Sequence, residues 1–305
     1  MMKKMKQFIK KDVLGVHPEL SIERDEYVSL LNARDLLTEA YSFEEKYSLI
    51  MGNYAELEKT VLGFVVNRII EYPTQYKYMH DVRSTLQRRI LNLLTATKLY
   101  RDQVATHISI MAGSGSGGQE EAKKRISEQY DQNPEFRFME AFRNHVQHVS
   151  IQLDNLNLGA ELMESENQEM EYYLSCSVLK QTLAENRKFK SSVLKEIPDE
   201  VSLIFYIRKY IKCIGAIHEY GRNTSNHKLI SSRAIIQQKL EEYCDFADCT
   251  DLGVYLYSVD GETTEKHALT LQTDDVRLEL KKMHPYKPRL ADSYATGKVR
   301  ESKIS

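Results

Sequence analysis

The chain has 305 residues, 42% of them hydrophobic and 28% charged, with a formal net charge of −2. That balance is ordinary for a globular protein and excludes the bulk basic character that drives non-specific nucleic-acid binding. Any RNA contact has to come from local patches, for which Arg83/Arg88/Arg89, Lys123/Lys124/Arg125, Arg187/Lys188 and Lys281/Lys282 are the candidates.

Residues 1–20 read as a basic N-terminal segment that turns loop-like, with Gly15 and Pro18 as breakers. No apolar core follows the opening lysines, so the segment is not a signal peptide, and no run approaches the ~18 apolar residues of a membrane span. The expectation is a soluble, cytoplasmic protein with no membrane partner. From residue 24, Tyr27, Leu30, Leu31, Leu37, Ala40, Tyr41, Tyr47 and Ile50 recur at helical spacing. After Gly52-Asn53 the stripe resumes through Leu57, Val61, Phe64, Val65 and Ile69 and stops before Pro73. A third long helix is predicted over residues 79–111, on Val82, Leu86, Ile90, Leu93/Leu94, Tyr100, Val104 and Ile108. Long helices with short connections predict a bundle. Gly113-Ser-Gly-Ser-Gly-Gly118 reads as a flexible link. It is no phosphate loop, because neither a preceding strand nor a following Gly-Lys-Ser/Thr is present.

A short helix over residues 119–130 leads through Asn133-Pro134 into Phe136-Arg-Phe-Met-Glu-Ala-Phe-Arg143-Asn144-His145-Val-Gln147-His148. At about 100° per residue this stretch splits into two faces. Phe138, Met139, Phe142, Val146 and Val149 make an apolar arc; Arg143, Asn144, Gln147 and His148 make a polar one. Asn144 and His148 stand at i,i+4, one above the other. Arginine is a permanently charged fork matched to phosphate oxygens, and histidine titrates near neutrality. The set suits a phosphodiester and a proton transfer. His145 lies at the edge of the arc, as an accessory or a structural residue. On the preceding helix Asn92, Tyr100 and Asp102 either line the same groove or are ordinary packing and surface.

Downstream, residues 152–159 are polar and loop-like, and Tyr172–Leu179 reads as a strand or a helix start. Ile197-Pro198 opens a helix over residues 199–220, Gly221–Ser225 breaks it with Thr224 or Ser225 capping the next, and a further helix spans residues 226–246. Beyond Asp251 the period changes to two, and Asp260-Gly261 predicts a β-hairpin before a polar, partly disordered tail from Pro285. Cys176, Cys213, Cys244 and Cys249 are scattered, which fits a reducing compartment without a disulfide framework. No metal site is expected: Cys244-x-x-x-x-Cys249 lacks a nearby Cys/His pair, and His145-x-x-His148 lacks a third ligand.

The spacing Arg143-Asn144-x-x-x-His148, with the long helix before it and the Glu196-Ile-Pro segment after it, resembles the HEPN family of helical ribonucleases and toxins. Arg222-Asn223-x-x-x-His227 repeats the spacing, but in a stretch of Asn, Thr and Ser that favours turns. The resemblance implies a mainly α, HEPN-like bundle over residues 21–151, accessory helices over 152–250, and the hairpin and tail over 251–305. It implies a metal- and cofactor-independent endoribonuclease, in which the ribose 2′-hydroxyl attacks the adjacent phosphate. His148 would be the acid/base, Arg143 the phosphate clamp and Asn144 the orienting group, with Gln147 beside them. It further implies an RNA substrate, a homodimer that sets two motifs face to face, and an antitoxin or defence-system partner. The alternative is a non-catalytic HEPN-like interaction or nucleotide-binding module.

Overall fold

The computed structural model describes residues 5–13, 15–71, 75–113, 118–147, 151–164 and 169–295. Its elements run β1 (Lys6–Lys11), β2 (Leu20–Ser21), α1 (Arg24–Glu71), α2 (Tyr76–Ala112), α3 (Gly118–Gln132), α4 (Pro134–Val146), β3 (Asn155–Leu162) and β4 (Met170–Leu179). After them come α5 (Lys180–Glu185), α6 (Ser191–Glu196), β5 (Glu200–Ser202), α7 (Leu203–Ala247), β6 (Val254–Asp260), β7 (Thr263–Ala268) and α8 (Gln272–Met283). The described residues are mainly helical, with two small antiparallel sheets among them. The chain divides into two compact units, and α1, α2 and α7 each contribute residues to both.

The first unit takes in residues Met1–Leu49, Leu99–Lys124 and Tyr220–Pro285. Its sheet has the order β2-β1-β6-β7, with Ile9 opposite Leu256 and Phe8 opposite Tyr257. Ile9 and Leu256 are fully buried, while Phe8 and Tyr257 stack with ring centroids 5.0 Å apart. The expected hairpin is present as β6 and β7, turning at Gly261 with φ +63°. It is not an appendage, because β1 pairs with β6 from Val254 to Val259. The N-terminal segment is therefore a strand over Lys6–Lys11 rather than a loop.

The second unit takes in Ile50–Lys98, Arg125–Glu219 and Tyr286–Ser305. Its sheet, β3-β4-β5, makes Tyr172–Leu179 a strand and turns the expected polar loop before it into β3. Leu86 and Ile90 of α2, Phe136, Phe138 and Met139 of α4, and Ile207, Tyr210 and Ile214 of α7 are all buried in this unit. Arg208 grips Glu58 with two parallel bonds of 2.7 Å each.

Two predicted helix breaks are absent. Gly52-Asn53 lies inside α1, and Gly221–Ser225 lies inside α7. A glycine costs a helix interior about 1 kcal/mol against alanine. At Gly221 the packing requires it: a Cβ there would come within 2.7 Å of Phe43 Cζ and 3.0 Å of Ile108 Cγ1. Thr224 and Ser225 do not cap; each hydroxyl donates back to the carbonyl four residues earlier, Tyr220 at 2.9 Å and Gly221 at 2.8 Å. Two further expectations fail. Ile197-Pro198 leads into strand β5 before the helix begins at Leu203, and the end of the expected hairpin, at Gln272 and Thr273, belongs to α8, which runs on to Met283.

Candidate functional site

Helix α4 starts where Pro134 fixes the first turn and Asn133 sits in extended backbone with φ −122°. The Asn133 side-chain amide donates to the Gln129 carbonyl at 2.9 Å, closing α3 rather than opening α4. The apolar arc packs as its spacing predicts. Phe138 stacks on Phe142 at 5.5 Å and meets Tyr206 edge-on at 5.0 Å, and Phe136 lies 5.1 Å from Tyr210. The helix closes at Val146, and His148 and Val149 lie outside the described residues.

The polar arc behaves differently from its sequence. Arg143 is buried, its side chain 8% exposed and paired with Glu140 at 14%. Arg143 Nη1 reaches Glu140 at 3.1 Å, and Nη2 donates to Asn144 Oδ1 at 3.2 Å. Glu140 Oε1 also accepts the Tyr210 hydroxyl at 2.5 Å. Arg143 Nε is buried without a hydrogen-bond partner among the described residues. The guanidinium is thus held by a carboxylate three residues earlier and does not stand open to a ligand.

What opens beside α4 is a cleft of about 710 Å³, entirely within the second unit. Asn144 and His145 face it from α4, Tyr130 from α3, and Asn186, Lys188 and Lys190 from the turn between α5 and α6. Glu140 also borders it. Lys190 Nζ bonds the Tyr130 hydroxyl and lies over that ring, 4.8 Å from its centroid. The turn is fixed by the Phe189 N–H donating to the Asn186 carbonyl at 2.8 Å.

The tautomer of His145 follows from this turn. Asn186 Oδ1 accepts the Lys188 backbone N–H at 3.0 Å, so the amide nitrogen of Asn186 is what meets His145 Nδ1, at 2.8 Å. Nδ1 is then an acceptor and Nε2 carries the ring proton. The ring lies 6.3 Å from Phe142 and 5.6 Å from Phe189, and burial lowers its pKa from the ordinary 6.5. A histidine with a depressed folded pKa binds fewer protons than it does unfolded. It therefore stabilises fully above about pH 6.5 and loses that contribution as pH falls toward the depressed value. We expect the unfolding free energy from urea titration to fall on acidification below pH 6.5, at no more than about 1.4 kcal/mol per pH unit for this group. His107, also lowered chiefly by burial, contributes to the same slope, so His145→Gln should flatten it only in part. Equal slopes for wild type and variant would rule out the assignment.

The other predicted residues scatter. Gln147 and Asn92 are exposed, and neither lines this cleft. Tyr100 cannot line a groove: it is fully buried in the first unit, 6.1 Å from Phe43 and 6.3 Å from Tyr47. Asp102, exposed, belongs to that unit too. His227 is exposed, whereas Arg222 of the second motif copy is buried. Among the basic patches, Arg89 pairs with Glu56, Lys123 with Glu120 at 3.0 Å and Arg125 with Glu128 at 3.0 Å. Arg83 and Arg88 border a second cleft, of about 660 Å³, whose wall Arg83 and Gln87 build by donating to the Leu153 and Ile151 carbonyls. Among the described residues no three His, Cys, Asp or Glu side chains cluster as metal ligands, and no helix is long and apolar enough to cross a membrane.

The sequence reading missed Glu140, Tyr130, Asn186 and Lys190 at the cleft. Glu140 had a signal: it stands at i−3 from Arg143, on the same helical face. No protein-family model, curated protein or solved structure matches the chain.

Proposed function

We propose that the cleft beside α4 binds the phosphates of a nucleotide or an RNA strand, and that the chain is a HEPN-like binding module. One observation carries this reading. Lys188 and Lys190 border a single cleft with the Nε2-protonated His145, while the carboxylate on its edge, Glu140, is engaged by Arg143. Ammonium groups bind phosphate as point charges, and an imidazole N–H adds a donor. The test is binding of a fluorescent single-stranded RNA across salt concentrations. Removing two phosphate contacts with Lys188→Ala/Lys190→Ala should weaken binding and reduce the slope of log affinity on log salt by about 1.4, roughly 0.7 for each contact. An unchanged slope would refute the site.

A second reading, the metal-independent endoribonuclease, is favoured by the Arg143-Asn144-x-x-x-His148 spacing in the sequence, whose Arg143 and Asn144 lie on the helix that borders this cleft. Against it stand Arg143, whose charge Glu140 already holds, and His145, whose lone pair Asn186 occupies. Cleavage would fall to His148 and to a partner protomer supplying the second proton-transfer group. A homodimer, a cytoplasmic toxin or defence role and an antitoxin partner all belong to this reading. RNA cleaved in the presence of a chelator by wild type and His227→Ala, but not by His148→Ala, would establish it.

A further inference from the structure

The C-terminus of α7, in the first unit, is closed by a specific cap. Asp248 adopts the left-handed conformation, φ +45°, directly after the last helical residue, Ala247. The Cys249 N–H then donates back to the Cys244 carbonyl at 3.1 Å. A left-handed residue followed by this six-to-one bond is the Schellman motif, in which the side chains at the two ends of the bond normally meet as an apolar pair. Here both positions are cysteine. Neither residue is fully buried, and partial burial, followed by the neighbouring Cys249, raises the Cys244 thiol above its ordinary range.

We propose that Cys244 and Cys249 form an oxidisable dithiol, which closes to an intramolecular disulfide on exchange with a low-molecular-weight disulfide of the glutathione class. The cap holds the two backbones in one tight turn, the close approach that a disulfide needs. One cysteine, as thiolate, attacks a sulfur of the oxidant and releases one small thiol. The other attacks the resulting mixed disulfide, closing the Cys244–Cys249 bond and releasing the second small thiol. Two protein thiols are oxidised, the small disulfide is reduced, and the two protons leave on its halves. The remaining cysteines are not comparable. Cys176 and Cys213 are buried, and burial pushes each thiol up to about 12.

The position gives the bond a structural consequence. Thr250, next to Cys249, holds Lys11 Nζ through its carbonyl at 3.1 Å and its hydroxyl at 3.0 Å. Tyr243, next to Cys244, accepts the Lys11 backbone N–H at 2.7 Å. Closing the disulfide therefore covalently ties together the two sides of the seat that anchors the end of β1.

The test uses the folded full chain, oxidised glutathione, alkylation of the remaining thiols and peptide mass mapping. The expected result is a Cys244–Cys249 cross-link, a chain lighter by about 2 Da for the two hydrogens lost, and reversal by dithiothreitol. Cys176 and Cys213 should alkylate only after denaturation. Cys249→Ser should instead retain glutathione on Cys244, because no resolving thiol remains. The proposal is overturned if folded wild type keeps both thiols reduced, carries glutathione separately on each, or cross-links only when unfolded.

Discussion

Replacing Glu44 with leucine is expected to destabilise the first unit by about 3–5 kcal/mol, the cost of leaving one member of a buried ion pair alone. Arg222 donates to Glu44 from Nε at 2.8 Å and from Nη2 at 2.7 Å, with side chains only 5% and 4% exposed. Its Nη1 donates to the His284 carbonyl at 2.9 Å, and the guanidinium lies 5.6 Å from the centre of the Tyr47 ring. Removing the carboxylate takes away the counter-charge that Arg222 Nε and Nη2 bond in a buried site. The double variant Glu44→Leu/Arg222→Met should recover most of the loss, since apolar replacements of similar volume satisfy the site without charge. Urea unfolding decides it, and a single-variant cost below about 1 kcal/mol would contradict the account. The pair also bears on function. Arg222-Asn223-x-x-x-His227 matches the motif in sequence as well as residues 143–148 do, yet its arginine borders a space of only about 10 Å³. The α4 copy borders about 710 Å³, through Asn144 rather than through its arginine. Both motif arginines are paired with glutamate, so what separates the two copies is the room beside them.

The legible parts of this fold are those whose information is local. Helix α2 and the apolar side of α4 follow from spacing alone, because each buried position repeats every three or four residues. The breaks at Gly52 and Gly221 failed for different reasons. Around Gly52 the buried stripe of Ile50, Tyr54 and Leu57 continues unbroken, and burial outweighs one poor helix former. Gly221 is there for Phe43 and Ile108, partners far away in sequence. The missed strands have the same cause. β1 is defined by β6, nearly the whole chain away, and β3 buries Leu158 alone among its eight residues, so neither shows clean alternation. The site was half legible. An arginine on a polar arc reads as exposed until Tyr210, from α7, completes the carboxylate environment that lets Arg143 be buried. Lys190 and Asn186 reach the cleft through a turn whose geometry lies in backbone bonds rather than in any motif.

At the cleft itself, Glu140→Gln should move stability and binding in opposite directions. The amide keeps the shape and can still accept a hydrogen bond, but it no longer neutralises Arg143 across 3.1 Å. A buried arginine without its counter-charge costs about 3 kcal/mol, toward the low end for a broken pair because the amide retains part of the contact. The carboxylate removed also borders the cleft, so the groups facing a bound phosphate become more positive by one charge. At water-like screening that gain is about 1 kcal/mol, some fivefold in Kd for single-stranded RNA. Glu140→Leu should destabilise further, by about 4–5 kcal/mol, since it also removes the carboxylate that accepts the Tyr210 hydroxyl. If Gln weakens RNA binding instead, Glu140 is a ligand contact rather than a counter-ion, and the cleft would suit a cationic or neutral molecule in place of a phosphate. If Gln leaves both stability and affinity unchanged, the ion pair carries no weight, and Arg143 is available to the nuclease reading after all.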